Sequence, residues 1–207
     1  MNDQSIWISS DPLILASNSA IRADLLKKAG FNFRVHASKI DERRVEQDLS
    51  LHSLGFHERA KALARIKAES VSVSEPRSWV IGADQILEFD HKIFHKAKTR
   101  AEVEKNLQAF AGHTHYLHSA VAIIKDQVQV YSAVESATLR MRALSDSDIK
   151  IYCDLAGEAI LESVGSYQYE GLGRHLFDKI EGREDVIFGL PLNPIITFFR
   201  SVGCLKF

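Results

Sequence analysis

The sequence predicts an α/β fold built on a mixed, twisted sheet with flanking helices. Three observations carry that prediction. Apolar runs of strand length precede stretches with helical spacing, as where Leu13-Ile14-Leu15-Ala16 leads to Leu25, Leu26 and Ala29. Two β-rich runs, Ser119 to Ile124 and Val128 to Leu139, read as a hairpin. A third apolar run, Trp79 to Leu87, is interrupted by a carboxylate and an amide at Asp84 and Gln85. Helices following strands, together with one hairpin, call for a sheet of mixed direction.

The elements follow in order. After the strand ending at Ala16, Ser17-Asn18-Ser19 opens a helix that Gly30 stops. Alternation in Phe31-Asn32-Phe33-Arg34-Val35 predicts a second strand, and His57 to about Ser70, rich in Ala, Lys, Arg and Glu, has the composition of a surface helix. The strand through Asp84 ends at a turn, Asp90-His91-Lys92. Thr99-Arg100-Ala101-Glu102 is a capping-box pattern for a helix closed by Gly112, and Ser145-Asp146-Ser147-Asp148 repeats it after the hairpin. Pro191 to Val202 reads as the closing helix.

With 207 residues and 45% hydrophobic content, the chain suffices for one large domain or two closely packed lobes. We read 1–207 as one domain, any second lobe being inserted between Thr99 and about Gly157. The apolar runs are far shorter than the roughly 18 to 20 residues that span a bilayer, and Met-Asn-Asp-Gln-Ser lacks a basic segment leading into an apolar one. A cytoplasmic protein without membrane association is expected. Cys153 and Cys204 have no metal-type spacing and read as two reduced thiols. A net charge of -1, from 26 basic and 27 acidic residues, gives no global attraction to nucleic acid.

Several segments have the makings of a site. Burying an unpaired carboxylate costs several kcal/mol, so Asp84 requires a cation, a metal, a substrate proton or backbone donors at a strand end. At Ser17-Asn18-Ser19-Ala20-Ile21-Arg22, helix N–H groups, two hydroxyls and a guanidinium suit a phosphate; Ser19 equally suits an ordinary N-cap. Asp41-Glu42, in a polar loop, together with Asp84 suits a hard divalent cation, which takes one or two carboxylates plus phosphate and water. Lys67 and Lys96 are candidate phosphate cations, each equally readable as a surface lysine. His113, His115 and His118 do not share one strand face and read as structural or solvated histidines rather than zinc ligands. The glycines of Gly165-Ser166-Tyr167-Gln168-Tyr169-Glu170-Gly171-Leu172-Gly173 match no nucleotide-loop signature and suggest a tight loop approaching a ligand.

Taken in order, Leu15-Ala16-Ser17-x-Ser19-x-x-Arg22-x-x-Leu25-Leu26, Asp41-Glu42, Ala64 to Ala68, Gly82-Ala83-Asp84, Lys96, Gly112-x-x-His115, Gly165-x-Tyr167-x-x-x-Gly171 and Gly189-Leu190-Pro191-Leu192 resemble the Maf family of nucleoside triphosphate pyrophosphatases. The resemblance runs through nearly the full chain. It implies hydrolysis of a nucleoside triphosphate to the monophosphate and pyrophosphate with a divalent cation, magnesium or manganese. It also implies two lobes around a nucleotide cleft, as in inosine triphosphate pyrophosphatases, and often a homodimer. By the same resemblance Asp84 is the proton acceptor, and Glu42 is a catalytic group sharing the metal with Asp84. Lys96 is a catalytic cation on the phosphates, Arg22 binds phosphate, Lys67 adds a substrate-binding cation, and Ser17 and Ser19 orient the triphosphate.

Three positions bear on the base. Members similar to the dTTP and UTP enzymes usually carry Arg, Thr and Gln where this chain has Ile21, Gln85 and Glu170; members resembling the 7-methyl-GTP enzymes carry an apolar or aromatic residue, Gln and Glu. This chain sides with the latter. A carboxylate accepts from both guanine N1–H and N2–H, whereas an amide suits the mixed edge of thymine or uracil. Ala20 stands where the family usually has Pro, His95-Lys96-Ala97 replaces Gly-Lys-Pro, and Ser163-Val164 lacks a Lys common in pyrimidine-specific members. The alternatives are a dTTP/UTP pyrophosphatase, or a nucleotide-binding regulator of cell division with little turnover.

Overall fold

The computed structural model describes residues 5–40, 45 and 53–207. Asp41 and Glu42 therefore lie outside the described residues. In chain order the elements are β1 (Leu13–Leu15), α1 (Ala20–Lys28), β2 (Arg34–Val35), α2 (Phe56–Ser72), β3 (Trp79–Phe89), β4 (Lys92–Phe94), α3 (Arg100–Phe110), β5 (Thr114–Lys125), β6 (Val128–Met141), α4 (Asp146–Ala156), β7 (Phe177–Glu181), α5 (Glu184–Ile187) and α6 (Leu192–Ser201). Short 3₁₀ turns follow α4 and precede β7.

The expected α/β class is observed. The sheet has seven strands in the order β2-β1-β3-β5-β6-β7, with β4 paired to β3 off this path. β1 runs parallel to β2 and β3, whereas β4 is antiparallel to β3 and β7 antiparallel to β6, so the sheet is mixed.

Local chemistry accounts for the element ends. The hydroxyls of Ser19, Thr99 and Ser145 accept from the third residue beyond, and at Ser145 the Asp148 carboxylate completes a reciprocal capping box. The two-residue turns Asp90-His91 and Asp126-Gln127 place all four residues at positive φ, 50° and 58° in the first and 50° and 64° in the second. That is the twist a tight hairpin needs.

Three features differ from the sequence expectation. The second strand shrinks to Arg34–Val35, both exposed, and the Phe31 amide is still bonded to the Leu26 carbonyl at 3.1 Å in the turn that ends α1. β4 and β7 are additional. Each is short and half exposed, so neither carries the alternation that marks a buried strand.

By its internal contacts the chain forms two compact units, one of Met1–Gln85, Ser119–Glu135 and Phe188–Phe207, the other of Ile86–His118 and Ser136–Ile187. Of the segment from Thr99 to Gly157, residues 119–135 belong to the first unit and the rest to the second.

In the first unit the strand period of two sorts side chains between two layers. Leu13, Leu15, Ile81 and Ala83 join Leu26 of α1 and Ile195 and Phe199 of α6. Ile14, Ala16 and Val80 join Ala68 and Val71 of α2. Gly82 shares the parity of Val80, and a Cβ there would lie 2.1 Å from the Ala64 carbonyl oxygen and 2.8 Å from the Ala68 Cβ. Only hydrogen at Gly82 and methyls at Ala60, Ala64 and Ala68, all fully buried, let α2 lie this close to β3.

The second unit is built around rings. Phe110 packs against Phe89 and Phe94 at centroid distances of 5.2 and 4.9 Å and stacks on His115 at 5.0 Å. Tyr167 meets Phe177 edge to face at 4.9 Å.

Gly82→Ala tests the close approach. It is expected to destabilise the protein by about 3 kcal/mol, since the helix backbone must retreat. Urea unfolding measures this; a loss under about 1 kcal/mol would contradict the packing.

Candidate active site

Asp84 lies on the Val80 and Gly82 side of β3, facing α2. Its carboxylate is buried, and Oδ1 receives a hydrogen bond from Lys67 Nζ at 2.6 Å. Lys67 is itself buried, on the α2 stripe that contains Ala60, Leu63, Ala64, Ala68 and Val71. Of its two sequence readings, the surface lysine is wrong. The stripe follows helical spacing, so a lysine within an otherwise apolar face was the signal of a buried cation. The pair satisfies the requirement that a buried carboxylate find a partner.

The strand-to-helix junction lies in the same unit. Ser17 Oγ accepts from the Ser19 amide at 3.2 Å, and Ser19 Oγ accepts from the Arg22 amide at 3.4 Å. Both hydroxyls thus hold the turn that opens α1. The Arg22 guanidinium folds back to donate Nη1–H to the Ala83 carbonyl at 2.8 Å. Gly189, at φ 84°, is the residue it passes, and a Cβ there would sit 3.0 Å from Nη2. Arg22 thereby braces the residue preceding Asp84. Ile21, beside it, is half-buried, and Gln85 Nε2 donates to Ser119 Oγ at 2.9 Å, which orients the Gln85 amide. Asp84, Lys67, Arg22, Gln85 and the α1 entry are therefore brought together within the first unit.

Lys96 and Glu170 belong to the second unit. Lys96 is exposed, with Nζ 3.8 Å from Glu162 Oε2. Glu170 is exposed on the glycine-rich loop. That loop is anchored from below by His115, whose Nε2 lies 2.7 Å from the Tyr167 hydroxyl. His115 is fully buried, and burial pushes its imidazole down to about 4. His118 is also buried, between Glu88 at 2.8 Å and Ser136 at 2.7 Å. The two buried histidines serve as structural cross-links, a role their sequence spacing left open.

The donor set suits a divalent cation only in one form. Among the described residues no cluster of three His, Cys, Asp or Glu side chains is present to cage a metal. Asp84 shares its charge with Lys67, which fits an ion held by one or two carboxylates with phosphate oxygens and water. Cys153 and Cys204 are free and buried, and burial raises both thiols. No described helix is long and apolar enough to cross a membrane.

Two measurements check this geometry. Lys67→Met leaves the Asp84 charge buried without its cation and is expected to cost about 3–5 kcal/mol in urea unfolding; Lys67→Met/Asp84→Asn should recover a good part of it. An equal loss in both variants would mean that the pair is not coupled. For His115, the unfolded side chain protonates near 6.5 and the native one only near 4. As pH falls through that window the unfolded chain gains a proton that the native state refuses, so stability declines. The decline is about 2 kcal/mol between pH 7 and pH 5 and levels off below pH 4. His115→Gln should lack this share of the slope, and identical slopes for both proteins would overturn the assignment.

The profile of the Maf-like protein family matches residues 12–202. A nucleoside triphosphate pyrophosphatase of Nitrobacter hamburgensis is 44% identical over 202 residues, 98% of this chain and 99% of its own. A 7-methyl-GTP pyrophosphatase of Rhizobium johnstonii is 44% identical over 193 residues, covering 93% and 97%. Among solved structures, the Staphylococcus aureus Ham1 protein superposes with a TM-score of 0.41 at 18% identity, covering 66% of this chain and 73% of its own. The chain belongs to the Maf-like family.

Proposed function

We propose that this chain is a nucleoside triphosphate pyrophosphatase, releasing the monophosphate and pyrophosphate, and that 7-methyl-GTP is its preferred substrate. The observation that carries the enzymatic reading is the buried Lys67 and Asp84 pair at 2.6 Å, a carboxylate paired with an ammonium and fixed within an apolar strand. Relatives 40–45% identical over nearly the whole chain and named nucleoside triphosphate pyrophosphatase support the activity.

In the proposed mechanism Asp84 takes the proton from a water as its oxygen bonds to the α-phosphorus. The bond from that phosphorus to the bridging oxygen breaks, and pyrophosphate leaves. Lys67 holds the carboxylate in place, and Arg22 fixes the preceding carbonyl. Ser17, Ser19 and Lys96 are assigned to the triphosphate. Magnesium or manganese would be held by Asp84 and Glu42 with phosphate oxygens, and when bound supplies neutralisation of the phosphate charge.

The finer substrate reading rests on Ile21, Gln85 and Glu170 and is supported by the name of one relative, the 7-methyl-GTP pyrophosphatase at 44% identity. Glu170 accepts from the guanine edge, and the half-buried Ile21 offers an apolar contact. A cytoplasmic setting agrees with two buried, free thiols, and a homodimer is the proposed assembly.

Pyrophosphate release from 7-methyl-GTP, GTP, dTTP, UTP and CTP with either metal tests the whole reading. Turnover should favour 7-methyl-GTP and fall by about a thousandfold or more in Asp84→Asn, beyond the 10²–10⁴-fold typical of a lost general base only if the metal is lost too. Glu170→Gln should narrow the preference. A preference for dTTP or UTP would keep the enzyme and discard the guanine assignment. Nucleotide binding without release would favour the regulator.

A further inference from the structure

The loop that carries Glu170 is held on both sides of it. Asn106 Nδ2 donates to Ser166 Oγ at 3.1 Å, fixing a buried residue at φ 59°. The Gln168 amide donates to the Tyr152 hydroxyl at 3.2 Å, and its side chain donates to the Ala159 carbonyl at 3.1 Å. Gln168 O then accepts from both the Gly171 and Gly173 amides, at 3.1 and 2.9 Å, closing the turn around Glu170. The Tyr169 ring lies under the Arg174 guanidinium at 4.4 Å. Glu170, between these anchors, is exposed.

Tyr167 is the deepest anchor. Its side chain is buried between His115 and Phe177, and a Cβ at Gly165 would lie 2.3 Å from its ring. The Tyr167 hydroxyl and His115 Nε2 share one hydrogen bond at 2.7 Å, whichever of the two donates, and His115 Nδ1 has no hydrogen-bond partner among the described residues. A directional bond of this kind fixes the ring's position along the pocket, which packing of a smooth apolar ring does not.

We propose that Tyr167, tethered by its hydroxyl to His115, is a positioning residue that sets where the Glu170 carboxylate stands and thereby the enzyme's base selectivity. The proposal rests on the reading of Glu170 as the base-recognition group. Neither Tyr167 nor His115 touches the nucleotide in this scheme. Both act through the closed backbone of the two residues between, Gln168 and Tyr169.

The test compares kcat and KM for 7-methyl-GTP and dTTP in the parent, Tyr167→Phe, Glu170→Gln and the double variant. Glu170→Gln should lower the ratio of the two kcat/KM values roughly tenfold, and Tyr167→Phe should lower it at least about threefold. The Tyr167→Phe effect should lie in KM for 7-methyl-GTP, with kcat nearly unchanged. The double variant should be no worse than Glu170→Gln alone. His115→Met should reproduce the shift, and His115→Gln, which keeps both a donor and an acceptor for the phenol, should retain the parent ratio. Loss of stability alone would scale both substrates together and leave the ratio untouched. If Glu170→Gln moves the ratio and neither Tyr167→Phe nor His115→Met does, the positioning role is wrong and the function stands. If Glu170→Gln itself leaves the ratio unmoved, the base-recognition reading fails, and the positioning role falls with it.

Discussion

The close approach of α2 to β3 at Gly82 is the constraint on which the first unit depends. A side chain at that position would enter the helix backbone, 2.1 Å from the Ala64 carbonyl oxygen. With glycine there and small residues opposite, Lys67 from the next turn of the helix reaches Asp84, two residues further along the strand on the same face. The chemistry of the pair is thus a by-product of steric permission. Neither residue is on a loop, so the carboxylate inherits the rigidity of a central strand, which suits a group that must meet a water within a few tenths of an ångström.

The second unit solves a different problem by different means. Glu170 lies on a loop that buries two rings, Tyr167 and Tyr169, on either side of Gln168. Its order comes from those rings and from hydrogen bonds at Ser166, Tyr167 and Gln168. Such a loop presents one charged side chain with little conformational freedom in its backbone. In the proposed reading of Glu170, selectivity between bases needs that, because a carboxylate free to move by an ångström accepts from many donor edges and discriminates among few.

Much of this was legible in the sequence, for identifiable reasons. Caps at Ser19, Thr99 and Ser145 depend on residues within three positions, so local spacing reveals them. The β3 strand declared itself because a carboxylate inside an apolar run demands an explanation. The edge strand β7, Phe-Asp-Lys-Ile-Glu, had no such signal, since an edge strand open to solvent shows no obligatory alternation. The direction of Arg22 was illegible as well. A guanidinium on a long stem satisfies phosphate or carbonyl equally well, and only the fold brings the Ala83 oxygen within 2.8 Å. The tether of His115 to Tyr167 spans 52 positions and leaves no periodic trace. Glu42 falls outside the described residues, so its place beside Asp84 rests on the family resemblance.

The cost of the Lys67 and Asp84 pair bears on whether the protein turns substrate over. A buried ion pair is a poor device for stability, because two apolar side chains of similar volume would often hold the same elements together as well or better. α2 and β3 already have Ala60, Ala64, Ala68, Val71 and Val80 to bury between them. A protein that only bound a metal nucleotide could use the carboxylate as a ligand to the cation but would have no use for a base. In the proposed hydrolase the same carboxylate also takes the proton of the attacking water, and the lysine lowers the cost of burying it. Catalysis thus gives the pair a use that binding alone does not, and that asymmetry favours the pyrophosphatase over the regulator.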